Sequence, residues 1–104
     1  MDKQTWTFHT AIRRRKFRVE VGFSPDWKKP AEVLIECAEA AASAEFKEVV
    51  RDGAKLLSLV LQLDVPLEEL RDAVLRNPDN TPETILGAIV DRLSSLHQGQ
   101  SHEN

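Results

Sequence analysis

The chain has a single cysteine, Cys37, among its 104 residues. An intrachain disulfide and a CxxC metal site are thereby excluded, and a reducing, cytoplasmic setting fits. No apolar run approaches the length that spans a bilayer. None follows Met1-Asp2-Lys3-Gln4, so no signal peptide is expected. The four glycines are scattered, so no glycine-rich phosphate loop exists. His9, His97 and His102 fall on a strand, a helix end and the tail, without metal-ligand spacing. No nucleophile, base and orienting group assemble into a catalytic set. Glu45, Glu48, Glu68 and Glu69 lie in the first turns of expected helices, where acids complement the macrodipole. The expectation is therefore a protein that is not an enzyme and uses no cofactor or metal.

What is present is an ordinary globular composition, 41% hydrophobic and 30% charged. A chain of this length can bury a modest core as one domain. The net charge of −3 hides a split. Residues 1–30 hold eight basic side chains against three acids, whereas residues 31–104 hold six against fourteen. Such a split suits a polyanion-facing end or complementary faces between subunits.

Thr5-Trp6-Thr7-Phe8-His9 alternates polar and apolar, as a half-buried strand does. Arg13-Arg14-Arg15-Lys16 reads as a charged connection. Phe17, Val19, Val21 and Phe23 alternate with Arg18 and Glu20, the clearest strand pattern in the chain. The apolar set is expected inward and Arg18 and Glu20 outward, since a one-residue slip would expose every apolar side chain. Ser24 to Pro30 reads as a turn, and Val33-Leu34-Ile35 as a third strand ending near Cys37.

Ser43 can cap a helix over 44–64, on which Phe46, Val50, Gly53, Ala54, Leu57, Val60 and Leu61 recur at helical spacing. Val49, Leu56, Leu59 and Leu63 add a second apolar face. A helix apolar on most sides is buried between layers or subunits, so a homo-oligomer is expected. Pro66 stops this helix and opens a second, running from Leu67 to Arg76 and burying Leu70, Ala73 and Val74. Thr81 is placed as N-cap and Pro82 as first residue of a third helix, with Ile85, Leu86, Ile89, Leu93 and Leu96 as its buried stripe. The fold class is α+β: a three-stranded antiparallel sheet followed by three helices packed on one face. Residues 1–97 form the domain and 98–104 a disordered polar tail.

Two basic features stand out. Arg13 to Lys16 places four cations in a row, which favours either a phosphate partner or a solvated hairpin tip. Arg71 and Arg76 lie beside Asn77, Asn80 and Thr81, where two guanidinium forks and a helix N-terminus would line an anion-binding recess. On that reading Arg76→Ala weakens ligand binding and leaves the melting temperature nearly unchanged.

The segments Ala31-Glu32-Val33-Leu34-Ile35, Leu57-Ser58-Leu59-Val60-Leu61-Gln62 and Val65-Pro66-Leu67-Glu68-Glu69-Leu70 resemble the TSCPD domain. That domain ends adenosylcobalamin-dependent ribonucleotide reductases and also occurs as free-standing short proteins. Leu70-Arg71-Asp72-Ala73-Val74-Leu75-Arg76 is similar to the free-standing members. The naming cysteine is missing, since Pro82 follows Thr81 directly, so no metal or redox role transfers. The reductase barrel is absent as well. The resemblance implies a small non-catalytic protein that binds, or sequesters, a nucleotide or other phosphorylated small molecule. Some phage sponges for signalling nucleotides are similar in size and element order. The alternative is an interaction or regulatory module acting on ribonucleotide reductase or a host complex. A nucleic-acid partner is disfavoured by the acidic helical half and the single basic run.

Overall fold

The computed structural model describes residues 4–23 and 29–102, so most of the turn expected at Ser24–Pro30 lies outside the described residues. The chain divides into two compact units, Met1–Asp64 and Val65–Asn104. The first holds strands β1 (Gln4–Ile12), β2 (Arg15–Phe23) and β3 (Pro30–Cys37) and helix α1 (Ala44–Gln62). The second holds α2 (Leu67–Ala73) and α3 (Ile85–His102). A three-stranded antiparallel sheet followed by three helices is the α+β class that the patterning predicts.

The sheet runs β1-β2-β3. Phe17, Val19, Val21 and Phe23 of β2 are buried, together with Phe8, Val33 and Ile35 across the strands. Arg18 and Glu20 take the other face and pair with each other at 2.8 Å, and Arg18 also reaches Glu36. Pro30, expected as the end of the turn, is the first residue of β3, where a missing N–H is tolerated.

β1 is longer than the alternation at 5–9 suggests. The reason is the turn: only Arg13 and Arg14 lie outside the strands, both at positive φ (51° and 69°). Two left-handed residues make the primed two-residue turn that matches strand twist. Arg15 and Lys16 thus belong to β2, not to a connection. The turn closes on the Ile12–Arg15 pair. Ladder bonding then alternates from there, so Thr5, Thr7, His9 and Ala11 direct their backbone groups to the free edge of β1.

The other edge of the sheet is covered. α1 lies beside β3, where Ser58 Oγ accepts from Val33 N at 2.8 Å and donates to Ala54 O at 2.8 Å. Gln62 Nε2 donates to Ala31 O at 2.9 Å. Two polar residues one turn apart in the otherwise apolar stretch 56–63 thereby satisfy edge groups that would template aggregation. Ser43 caps α1 as expected, its hydroxyl accepting from Phe46 N at 3.1 Å. The Phe46 ring sits 6.2 Å from that of Phe17 and under the guanidinium of Arg15 at 4.4 Å. Val50, Ala54, Leu57 and Leu61 are buried, while Val49, Leu56, Leu59 and Leu63 are not.

In the second unit, α2 stops at Ala73, and Val74 is already extended. It is one short helix with no fully buried residue, and Ala73, read as core, is exposed. Arg76 therefore leaves the helix and enters an antiparallel bridge with Pro82. α3 starts at Ile85 rather than Thr81, with the Thr84 hydroxyl accepting from Gly87 N at 3.2 Å. Ile85, Ile89 and Leu93 are buried as expected, joined by Ala88 and Val90. Leu86 and Leu96 are half-buried. α3 continues to His102, through most of the segment read as a tail. Gly87 is constrained: a Cβ there would stand 3.1 Å from Pro82 Cβ and 3.3 Å from Val74 Cγ2.

Candidate functional site

Arg71, Arg76, Asn77, Asn80 and Thr81 do come together, around the loop joining α2 to α3. What the loop does with them differs from an open recess. Asp79 Oδ1 accepts from Thr81 N at 3.1 Å and from its hydroxyl at 2.6 Å, and this local bonding lowers the Asp79 carboxyl below its ordinary range. Asn77 N donates to Thr81 O at 2.8 Å, Asn77 Nδ2 to Thr81 Oγ1 at 3.0 Å, and Asn80 N to Asn77 O at 2.8 Å. Asn80 takes positive φ, 71°, which asparagine tolerates well. These bonds hold 76–82 as a tight loop, which is why Thr81 is unavailable as a helix cap.

Arg76 is the centre of this loop. Its fork meets Asp91 in two parallel bonds, Nη2 to Oδ1 at 2.6 Å and Nη1 to Oδ2 at 3.1 Å. Nη1 also donates to Asn80 O at 3.1 Å and Nε to Arg71 O at 3.2 Å. A guanidinium has five N–H donors, and four are engaged here by groups of the chain itself. The side chain retains 17% exposure. Asp91 occupies the two-oxygen position that a phosphate would take on the same fork. Its carboxyl is lowered below the usual range by the Arg76 hydrogen bonds first, against burial, and then by the charges of Arg76 and Arg71. Arg71 Nε lies 3.5 Å from Asp91 Oδ1, an ion pair without a hydrogen bond, and that nitrogen is buried. Asp91, which the sequence reading did not single out, is the residue that decides the chemistry of this loop. Its one signal is an acid placed directly after the apolar run Gly87 to Val90.

Arg76 thus ties the loop to α3. The bonds of this fork speak against its removal sparing stability: on this geometry Arg76→Ala is expected to loosen the loop.

The first unit contains a groove of about 460 Å³ between α1 and the outer face of the sheet, lined by Leu34, Leu59, Lys55, Gln62, Glu20 and Glu32 among others. Gly22, buried and without a side chain, leaves room at its floor. One cation against two carboxylates gives this groove no anion preference. Leu34 and Leu59, each more than half exposed, give it an apolar wall. The tip Arg13 to Lys16 is exposed throughout. It is held by Arg15 on Phe46 and by Lys16 N donating to Glu39 Oε1 at 3.2 Å.

Among the described residues no cluster of His, Cys, Asp and Glu is placed to hold a metal ion, and no helix is long and apolar enough to cross a membrane. No family model, curated protein or solved structure matches the chain.

Proposed function

We propose that this chain is a non-catalytic binding protein that works by assembly with protein. Of the two readings that the sequence supports, the interaction module has the better physical basis. The observation that carries it is the outer face of α1, where Val49, Leu56, Leu59 and Leu63 are 53–67% exposed on one helix. Singly exposed leucines are ordinary, but a contiguous set of this kind marks an interaction surface. A reductase or a host complex is the kind of target that the TSCPD resemblance would suggest.

The phosphorylated-ligand reading draws less support. A nucleotide phosphate at Arg71, Arg76, Asn77, Asn80 and Thr81 would have to displace Asp91 from a bidentate pair and compete with backbone carbonyls for the remaining donors. Arg13 to Lys16 offers a more open set of cations for an anion, with Arg13 and Arg14 both held in the left-handed region.

Thermal shift against a panel of mono-, di- and triphosphate nucleotides and cyclic dinucleotides separates the readings. Assembly predicts no rise in melting temperature beyond that given by equal ionic strength. A saturable, nucleotide-specific rise abolished by Arg71→Ala would instead establish the phosphate site.

A further inference from the structure

We infer that the outer face of α1 is the two-fold interface of a homodimer, with α1 lying antiparallel to α1 of a second copy. This rests on the assembly reading above and names its partner. Val49, Gly53, Leu56, Val60 and Leu63 follow one another at spacings of four, three, four and three residues. That alternation keeps one stripe facing a neighbouring helix along its length. Gly53 has no side chain to hold the helices apart near the middle of the stripe.

The size of the bare surface fits a second copy. The exposed parts of Val49, Leu56, Leu59 and Leu63 amount to roughly 400–500 Å² of largely apolar surface, about half of the roughly 800 Å² each partner gives to a standard interface. Glu45, Glu48 and Lys55, all exposed, border it and supply a polar rim, while Asp52 lies along the stripe itself. Leu59 also walls the groove together with Leu34, so a facing side chain has an apolar recess to enter.

Charge sets the orientation. Glu45, Glu48 and Asp52 lie in the first half of α1 against Lys47 and Arg51, which leaves that half net acidic, and the last turn has no basic residue. A parallel pair would align these acids and both macrodipoles, whereas an antiparallel pair separates the acids and opposes the dipoles. A two-fold contact uses the same face on both copies and closes at two, which leaves no apolar stripe to propagate a filament.

Sedimentation equilibrium from low to high micromolar protein tests this on the parent, Leu56→Lys, Leu63→Lys and Thr7→Pro, with far-ultraviolet circular dichroism as the folding check. Leu56 and Leu63 are exposed in the single chain, so both lysine variants should fold. The expected result is a dimer whose dissociation constant rises at least about 100-fold in Leu56→Lys and Leu63→Lys, because a buried unpaired ammonium is costly. It should stay the same in Thr7→Pro. A dimer that survives both lysines and dissociates in Thr7→Pro is joined at the free β1 edge, and overturns the proposal. A parent that stays monomeric overturns it too. Maleimide labelling of Leu59→Cys in a Cys37→Ser background then tests the assembly reading separately. On a parent that stays monomeric, labelling at the rate of a free thiol leaves that reading standing with another protein as partner, whereas strong protection, which in a monomer can come only from the chain itself, removes it as well.

Discussion

The loop around Arg76 and the outer face of α1 are opposite cases of how a fold uses conspicuous residues. Around Arg76, a charged and polar cluster is closed upon itself: Asp91 and two backbone carbonyls take four guanidinium N–H donors. On α1, Ser58 and Gln62 are matched to β3, while four large apolar side chains on the far side are left more than half exposed. A site of suggestive composition can be largely spent on internal bonds, and an unremarkable run of leucines can be the part left over. Which groups remain unmatched is more informative about binding than which groups are charged.

Exchanging closed for open should have the largest effect at Arg76. Arg76→Ala leaves Asp91 without its bidentate partner and frees the carbonyls of Arg71 and Asn80. Its melting temperature is expected to fall by roughly 5 °C or more, as read by calorimetry. A variant as stable as the parent would mean that the loop is not held by this fork. On the α1 side, Ser58→Ala removes the acceptor of Val33 N on the sheet edge. It should cost about 1–3 kcal/mol in urea denaturation, the range for an unsatisfied part-buried donor. An unchanged midpoint would show that water replaces the hydroxyl at that edge.

Acid should act on the closed loop next. Asp91 and Asp79 both have carboxyl groups lowered by hydrogen bonds of the folded state. A depressed folded value means that their contribution is whole above the ordinary carboxylate range, near pH 4, and is lost as pH falls through the lower folded values. Urea midpoints of the parent should therefore change little from these groups between neutral pH and about pH 5, and fall below pH 4. In Arg76→Ala the acid-sensitive part should shrink, since Asp91 no longer has its main partner. The smallest effect is expected at Gly87. Gly87→Ala gains helix propensity of about 1 kcal/mol but places Cβ 3.1 Å from Pro82, so it should come out destabilising by no more than about 1 kcal/mol.

Much of this molecule is legible from the order of its residues. The period-two alternation at 17–23 gives β2 its buried face, and Ser43 gives α1 its start, because burial and capping are local patterns. The ends of α2 and α3 are not legible in the same way. Thr81-Pro82 has the look of a helix start, but Asp79 takes the threonine hydroxyl and amide first, and Thr84 caps instead. Arg76 looks like a helix-terminal cation free for a ligand, until Asp91, 15 residues later, is brought against it. Contacts of that range depend on where the chain returns, which periodicity does not encode. The apolar surplus on α1 is visible in the sequence, whereas the polar match of Ser58 to β3 depends on which strand ends at the edge.

One measurement watches both regions at once: side-chain methyl and backbone amide NMR on dilution, and on addition of inorganic triphosphate. Dilution is predicted to shift the methyl signals of Val49, Leu56, Leu59 and Leu63 while the amides of Arg76, Asn77 and Thr81 stay still, and triphosphate is predicted to leave the Arg76 loop unmoved. Saturable triphosphate shifts at Arg76, Asn77 and Thr81, with no concentration dependence along α1, would contradict the account.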